Sequence, residues 1–392
     1  MQGHITKRGD AYYVVVFLGR GPDGRKKYKW IRAGKRKKDA EAELARIVHG
    51  VYTGTYVDAG KMTVAGLLER WLDDYAKHNV ARRTYERYEE IVRKHWIPAI
   101  GHIELGKLQP IHIQEQYTRW TEKGRLDGRG GGLSPKTVVQ HHRVLRKALQ
   151  WALKMQLIAR NPADAAQPPR PARREMRALD AQQTVRLLQA CTGTPLYIPV
   201  LLAVTCGMRR GEILGLRWKD VDLERGVLTV RQALEETRDG LRFKGPKTAA
   251  GNRSIALPAL AVQALRRHRV QQAKERLLMG PAYEDHDLVC ARPDGKPLRP
   301  DYLSQALPRV AQQAGLPRIR FHDLRHSHAT HLLQAGVHPK VVAERLGHAT
   351  VQVTLDIYSH VLPTLQQDAA QRLDATLAAA AKALQPGGLE RD

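Results

Sequence analysis

Apolar residues recur with two different periods along this chain, and the change of period divides it. Residues 11–17, AYYVVVF, are dense in β-branched and aromatic types and read as a strand. A Gly/Pro/Asp turn and a second strand-like run follow in GRGPDGRKKYKWIRAG. A β-hairpin or three-stranded meander is therefore expected, followed by a helix from about Lys38 to His49. From Thr63 to about Ala166 the spacing becomes helical. Val64, Leu67, Leu68, Trp71 and Leu72 fall on one stripe, and Val138, Leu145, Leu149 and Ala152 on another. Ser134 and Pro135 supply an N-cap and a first helical residue for the later helix, and Gly130 to Gly132 mark a loose loop before it.

The stretch QPPRPARREMRALD (167–180) has proline and arginine but no periodicity, which makes 168–177 a linker able to lie along a phosphate backbone. Beyond it helices and strands mix. TPLYIPVLLAVTCGMRRGEILGLRW is helical with a break near Gly207, GVLTVRQA reads as a strand, and RSIALP as another after the turn KGPKTAAGN. Three helical stretches surround FHDLRHSHATHLL (321–333), and no repeat of 20–50 residues is evident. The expected fold is multidomain α+β. A small three-stranded sheet plus helix occupies 1–56, and an all-helical domain 61–167. A mixed, mainly α domain with a small antiparallel sheet occupies 178–392.

The charge indicates the partner. The 392 residues carry 65 Lys and Arg against 39 Asp and Glu, a formal net charge of +26. Solubility needs far less, so a polyanion is expected, and nucleic acid is the commonest. A membrane surface fits less well, because there is no run of about 18 apolar residues and no polybasic stretch beside one. The opening MQGHITKRGD lacks the apolar core of a signal peptide. Cys191, Cys206 and Cys290 are widely spaced with no CxxC, which excludes a disulfide framework or thiolate zinc site. A soluble cytoplasmic protein is expected. Arg25, Lys26, Lys27, Lys29, Arg32, Lys35, Arg36, Lys37 and Lys38 crowd onto the N-terminal unit. Phosphate contact is the favoured reading of that density, against a merely solvated basic face.

The run FHDLRHSHATHLL holds His322, His326, His328 and His331. HDLRH resembles the HExxH of a zinc protease, where two imidazoles on one helix face hold the ion. Alternatively, His322 and Arg325, one turn apart, point at a phosphate. No third ligand with zincin spacing follows His326, and Asp323 is shorter than the glutamate of that motif. Three further strings stand in the same region: TCGMRRGE with Arg209 and Glu212, GPKT with Lys247, and LGHATVQVTLDIYSH with His348 and Tyr358.

In this order and at these intervals the four strings resemble those of the tyrosine recombinase (phage integrase) family. The likeness is close over 178–360. It is looser over 61–167, where LSPKTVVQHHRVLRKALQWALKMQLIARNPA resembles the end of the family's core-DNA-binding domain. The basic N-terminal hairpin resembles the arm-site-binding domain of the longer integrases.

The resemblance implies a set of roles that fits the chemistry. Attack on a phosphodiester builds charge on nonbridging oxygens, which two guanidiniums, Arg209 and Arg325, can hold without a metal. Tyr358 is implied as nucleophile. A phenol with a pKa of about 10 needs positive neighbours and a proton acceptor, the position of His322. Lys247 is implied as general acid to the leaving 5′-oxygen, and His348 as a hydrogen-bond donor to the scissile phosphate. Glu212 is implied to support the site, or is simply a carboxylate favoured at a helix N-terminus. His326, His328 and His331 have no required role, and neither metal nor cofactor is implied.

The implied activity is site-specific recombination through a 3′-phosphotyrosyl intermediate, integrating or excising a mobile element. The implied partners are double-stranded DNA at core and arm attachment sites, three further protomers in a homotetramer, and accessory DNA-bending and excision-directionality proteins. A type IB topoisomerase uses a similar residue set, and a DNA-binding regulator could keep the fold without activity. The hairpin and helical domain ahead of the site favour the recombinase over the first, and Tyr358 favours it over the second. Past Tyr358, Pro363 is expected to end the helix. Leu373, Leu377 and Leu384 then repeat at helical spacing in a tail that packs in cis or on a neighbouring protomer.

Overall fold

The computed structural model describes residues 3–20, 24–52, 61–172, 178–245, 251–358, 370–371 and 373–381, and the chain divides into two units, Met1–Arg173 and Arg174–Asp392. Lys247, Pro363 and Leu384 lie outside the described residues, as do the side chains of Lys27 and Tyr358.

The first unit opens with an antiparallel sheet, β1 (Gly3–Arg8), β2 (Ala11–Arg20) and β3 (Lys26–Gly34), paired in that order, then α1 (Lys37–Tyr52). The alternation of a strand sends every second residue of β2 to one face. Val14, opposite Ile5 and Ile31, and Val16 turn inward and pack with Ala40 and Ile47 of α1. The other face carries Tyr13 and Trp30, their rings 6.4 Å apart, with the Arg8 guanidinium 5.1 Å from the half-exposed Trp30 ring.

The helical part follows the two expected stripes. α2 (Val64–Trp71) runs on through a π-type turn (Leu72–Ala76), and α3 (Arg82–Ile91) through another (Val92–Trp96). α4 (Pro110–Lys123) and α5 (Pro135–Lys154) complete it. Every residue named in the two stripes is 0% exposed, and each large one contributes about 1.5–3 kcal/mol by leaving water. Ser134 caps α5 as expected, its hydroxyl accepting the Thr137 N–H at 3.2 Å, with Pro135 as first helical residue.

The second unit has eight helices of five residues or more among its named elements: α6 (Ala181–Cys191), α7 (Tyr197–Cys206), α8 (Arg210–Leu214), α9 (Ala259–Met279), α10 (Pro300–Gln313), α11 (Phe321–Gln334), α12 (Pro339–Leu346) and α13 (Val351–Tyr358). The strands β4 (Val221–Asp222), β5 (Val227–Val230) and β8 (Arg253–Ala256) form one sheet. A separate hairpin, β6 (Ala233–Thr237) and β7 (Gly240–Lys244), was not expected from the sequence. Its residues, ALEETRDGLRFK, are too polar to stand out as strands; the signal was Asp239-Gly240 at the turn, with Gly240 at φ +109°.

α7 is apolar nearly all round and runs through the core, as such a helix must. α11 packs on it, and every residue of α11 from Asp323 to Thr330 is buried. This is the histidine run, so its polar groups need partners inside the protein. Those partners define the site.

Candidate active site

Two helix ends hold the two arginines. The break near Gly207 is the left-handed end of α7, at φ +64°, and Gly347 ends α12 at φ +66°. Arg325, one turn into α11 and 3% exposed, donates from its two terminal nitrogens to the Gly207 and Leu346 carbonyls, each at 2.6 Å. Arg209 donates to the Gly347 carbonyl at 3.0 Å. Adjacent carbonyls at the carboxyl end of α12 thus receive one guanidinium each. That end carries partial negative charge and favours cations.

Arg209 immediately precedes α8. Its backbone N–H donates to Glu212 Oε2 at 2.9 Å and its guanidinium to Oε1 at 2.7 Å. Its side chain is 42% exposed, whereas Glu212 is buried. On the other side of the same carboxylate lies Arg253, the first residue of β8, at 2.8 Å from Oε2. Burial by itself would raise the Glu212 pKa, but the donors from Arg253 and Arg209 outweigh it and hold the carboxyl below its ordinary range.

His348 directly follows Gly347, and its Nδ1 lies 2.8 Å from the hydroxyl of Thr354, a fully buried residue of α13. Burial, then Arg325 and Arg209, push the His348 imidazole down to about 4. His322 opens α11 at the surface. Partial burial of its ring, then Arg325, lower it below the ordinary histidine range, with Asp323 opposing and Arg209 and Arg320 adding to the shift. Both imidazoles are neutral at neutral pH, and both lie in the field of the same two guanidiniums. Tyr358 is the last residue of α13, the helix tied to His348 through Thr354.

The remaining members of the histidine run are held by the protein. Asp323 accepts from the Arg320 N–H at 2.8 Å and from its guanidinium at 2.7 Å, closing the start of α11. His322 and His326 meet edge to face, 4.9 Å apart. His328 donates from Nδ1 to the Val204 carbonyl at 3.0 Å and accepts at Nε2 from Arg345 Nε at 3.2 Å, which fixes it as neutral. Burial lowers both His326 and His328 to about 4. His331 meets the Thr184 hydroxyl at 3.2 Å. Among the described residues, no group of three or more His, Cys, Asp or Glu side chains is arranged to hold a metal.

Arg253, Arg345 and Thr354 do not stand out in the sequence as residues of this site. RSIALP displayed Arg253 only as the start of a strand; its carboxylate partner stands 41 residues earlier. In the N-terminal unit Arg25, Lys26, Lys35, Arg36 and Lys37 are exposed and Lys29 is half-buried. Arg36 pairs with Asp39 at 3.2 Å and Lys37 with Glu41 at 3.6 Å, each one turn along.

Residues 177–364 match the model of the phage integrase family, and residues 63–121 that of the phage integrase N-terminal SAM-like domain. The chain belongs to the phage integrase family. Like the other tyrosine recombinases of that family, it cleaves and rejoins DNA strands. A tyrosine recombinase XerC-like protein of Caldanaerobacter subterraneus subsp. tengcongensis is 27% identical over 394 residues, spanning 95% of this chain and 98% of its own. Two solved integrases share the fold. The Tn1549 transposon integrase in complex with transposon right end DNA gives a TM-score of 0.66 at 22% identity, over 80% of this chain and 100% of that one. The lambda integrase tetramer bound to a Holliday junction gives 0.55 at 18% identity, over 89% and 92%.

Proposed function

We propose that this integrase inserts or excises a mobile element by the following chemistry. The Tyr358 phenolate attacks a phosphodiester, forming a 3′-phosphotyrosyl bond and releasing a 5′-hydroxyl. A 5′-hydroxyl from the partner duplex then attacks that bond and frees the tyrosine. One phosphoester replaces another at each step, so no nucleotide triphosphate is consumed. Arg209 and Arg325 hold the nonbridging oxygens, where the transition-state charge lies. Carbonyl partners orient both guanidiniums without neutralising them, and Arg209 is in addition paired with Glu212. Neutral His322 accepts the phenol proton. With the Thr354 hydroxyl donating to Nδ1, His348 carries its proton on Nε2 and donates to the phosphate. Lys247 protonates the departing 5′-oxygen.

The observation that supports this reading best is the carboxyl end of α12. Consecutive residues there hold Arg325 (Leu346), hold Arg209 (Gly347) and supply an imidazole (His348), with the Tyr358 helix tied to the last. No purely binding role needs that convergence.

The helical domain contacts core DNA, and the N-terminal sheet with Arg25, Lys26, Lys27, Lys29, Lys35, Arg36 and Lys37 contacts arm sites. The exposed pairs Arg36–Asp39 and Lys37–Glu41 are worth only about 0–1 kcal/mol each, so phosphate displaces the acids. Four protomers act on two duplexes, the assembly in which lambda integrase has been seen on a Holliday junction. DNA-bending and excision-directionality proteins set the direction of the reaction.

Tyr358→Phe tests the assignment. The variant should bind core DNA with unchanged affinity and give no covalent adduct on a denaturing gel, with or without chelator. An adduct that persists would contradict it.

A further inference from the structure

Glu212 is approached by cations from two sides. Arg209 meets it from the exposed side, and Arg253 from within at 3.2 Å (Oε1) and 2.8 Å (Oε2), with the Arg253 and Glu212 side chains each 7% exposed. The Arg253 Nε–H donates to the Arg345 carbonyl at 2.7 Å. That carbonyl immediately precedes those of Leu346 and Gly347, on which Arg325 and Arg209 rest.

The charges matter as much as the contacts. With Arg253 present, two guanidiniums share one carboxylate, and the group is left with a net positive charge. Without it, Glu212 faces Arg209 alone. The pair is then neutral, and the carboxylate draws Arg209 inward in a medium that screens poorly.

We propose that Arg253 is a positioning residue for DNA cleavage: it neutralises Glu212 from the buried side, leaving the charge of Arg209 to the phosphate, and it fixes the end of α12 that both clamp arginines use. This rests on the reading of Arg209 as a phosphate ligand. A merely structural Arg253 would only fasten β8 to α8 and α12.

The two roles separate in the charge dependence of cleavage. The assay is single-turnover adduct formation on a nicked core-site substrate, with DNA affinity measured by mobility shift. Arg253→Met should slow adduct formation by about 10²-fold while affinity stays within roughly threefold. Adding Glu212→Gln removes the stranded carboxylate and should restore at least about tenfold of that loss. A double variant no faster than Arg253→Met overturns the proposal, as does an Arg253→Met enzyme that cleaves at the wild-type rate. Should Arg253→Met fail to fold, Arg253→Lys asks the same question, since it keeps the charge and loses the fork. It should cleave within about tenfold of wild type; a loss near 10²-fold at unchanged melting temperature would overturn the charge account. Arg209→Ala separates the two readings. If it abolishes cleavage while Arg253→Met does not, this inference alone fails; if it cleaves normally, the phosphate clamp itself is wrong.

Discussion

A missing side chain at position 207 decides how closely three helices approach. Gly207 has φ +64°, and a Cβ there would lie 2.5 Å from His328 Cδ2 and 2.6 Å from Leu346 Cδ2. Gly207→Ala should cost about 3 kcal/mol or more, combining left-handed strain with overlap, and should weaken the seat of Arg325. Gly193→Ala, at φ +74° with open space around it, should cost only about 1–2 kcal/mol. Urea unfolding of the two variants checks this; equal losses would contradict it. Protonation is a second residue-scale effect. His326, His328 and His348 are held near 4 when folded, against about 6.5 in an unfolded chain. The unfolded state therefore takes up protons first as pH falls. Their contribution to stability is complete above about pH 6.5 and is lost between there and about pH 4. Melting temperatures of the protein across that window should fall steeply, and less so for His328→Gln; a flat profile would contradict the burial. At this scale the sequence displayed Arg209, His322, Arg325, His348 and Tyr358 because each stands in a local string. It did not display Arg253, Arg345 or Thr354, whose meaning lies in partners distant along the chain or in burial.

Elements with one strong period were the most legible. The stripes of α2 and α5 and the Ser134 cap are local consequences of spacing, and they stand in the structure as read. The β6–β7 hairpin was not legible, because Leu234 and the half-buried Leu241 are its main contacts with the core, too few apolar positions to mark either strand. For the buried polar helix α11 the missing third ligand after His326 and the family resemblance favoured phosphate over metal, but the partners that hold its polar groups were not legible. The N-terminal sheet gives an element-scale prediction. Deleting residues 1–56 should spare cleavage at a core site and impair integration on substrates with distant arm sites. Equal activity on both substrates would refute the arm-binding role.

The net charge of +26 is a property of the whole molecule, and its effect is long-ranged. Binding dominated by phosphate neutralisation releases counterions, so affinity for core DNA should fall by roughly 10³-fold or more between 50 and 200 mM salt. A nearly salt-independent affinity would place recognition elsewhere than on phosphates. Among the described residues no helix is long and apolar enough to cross a membrane. In the proposed mechanism Tyr358, on the helix joined to His348, becomes covalently linked to DNA. Trapping the chain on a nicked suicide substrate, digesting it and reading the nucleotide-bearing peptide by mass spectrometry tests that directly. A nucleotide joined through its 3′-phosphate to the peptide containing Tyr358 is expected; nucleotide on any other residue, or no cross-linked peptide at all, would contradict that role.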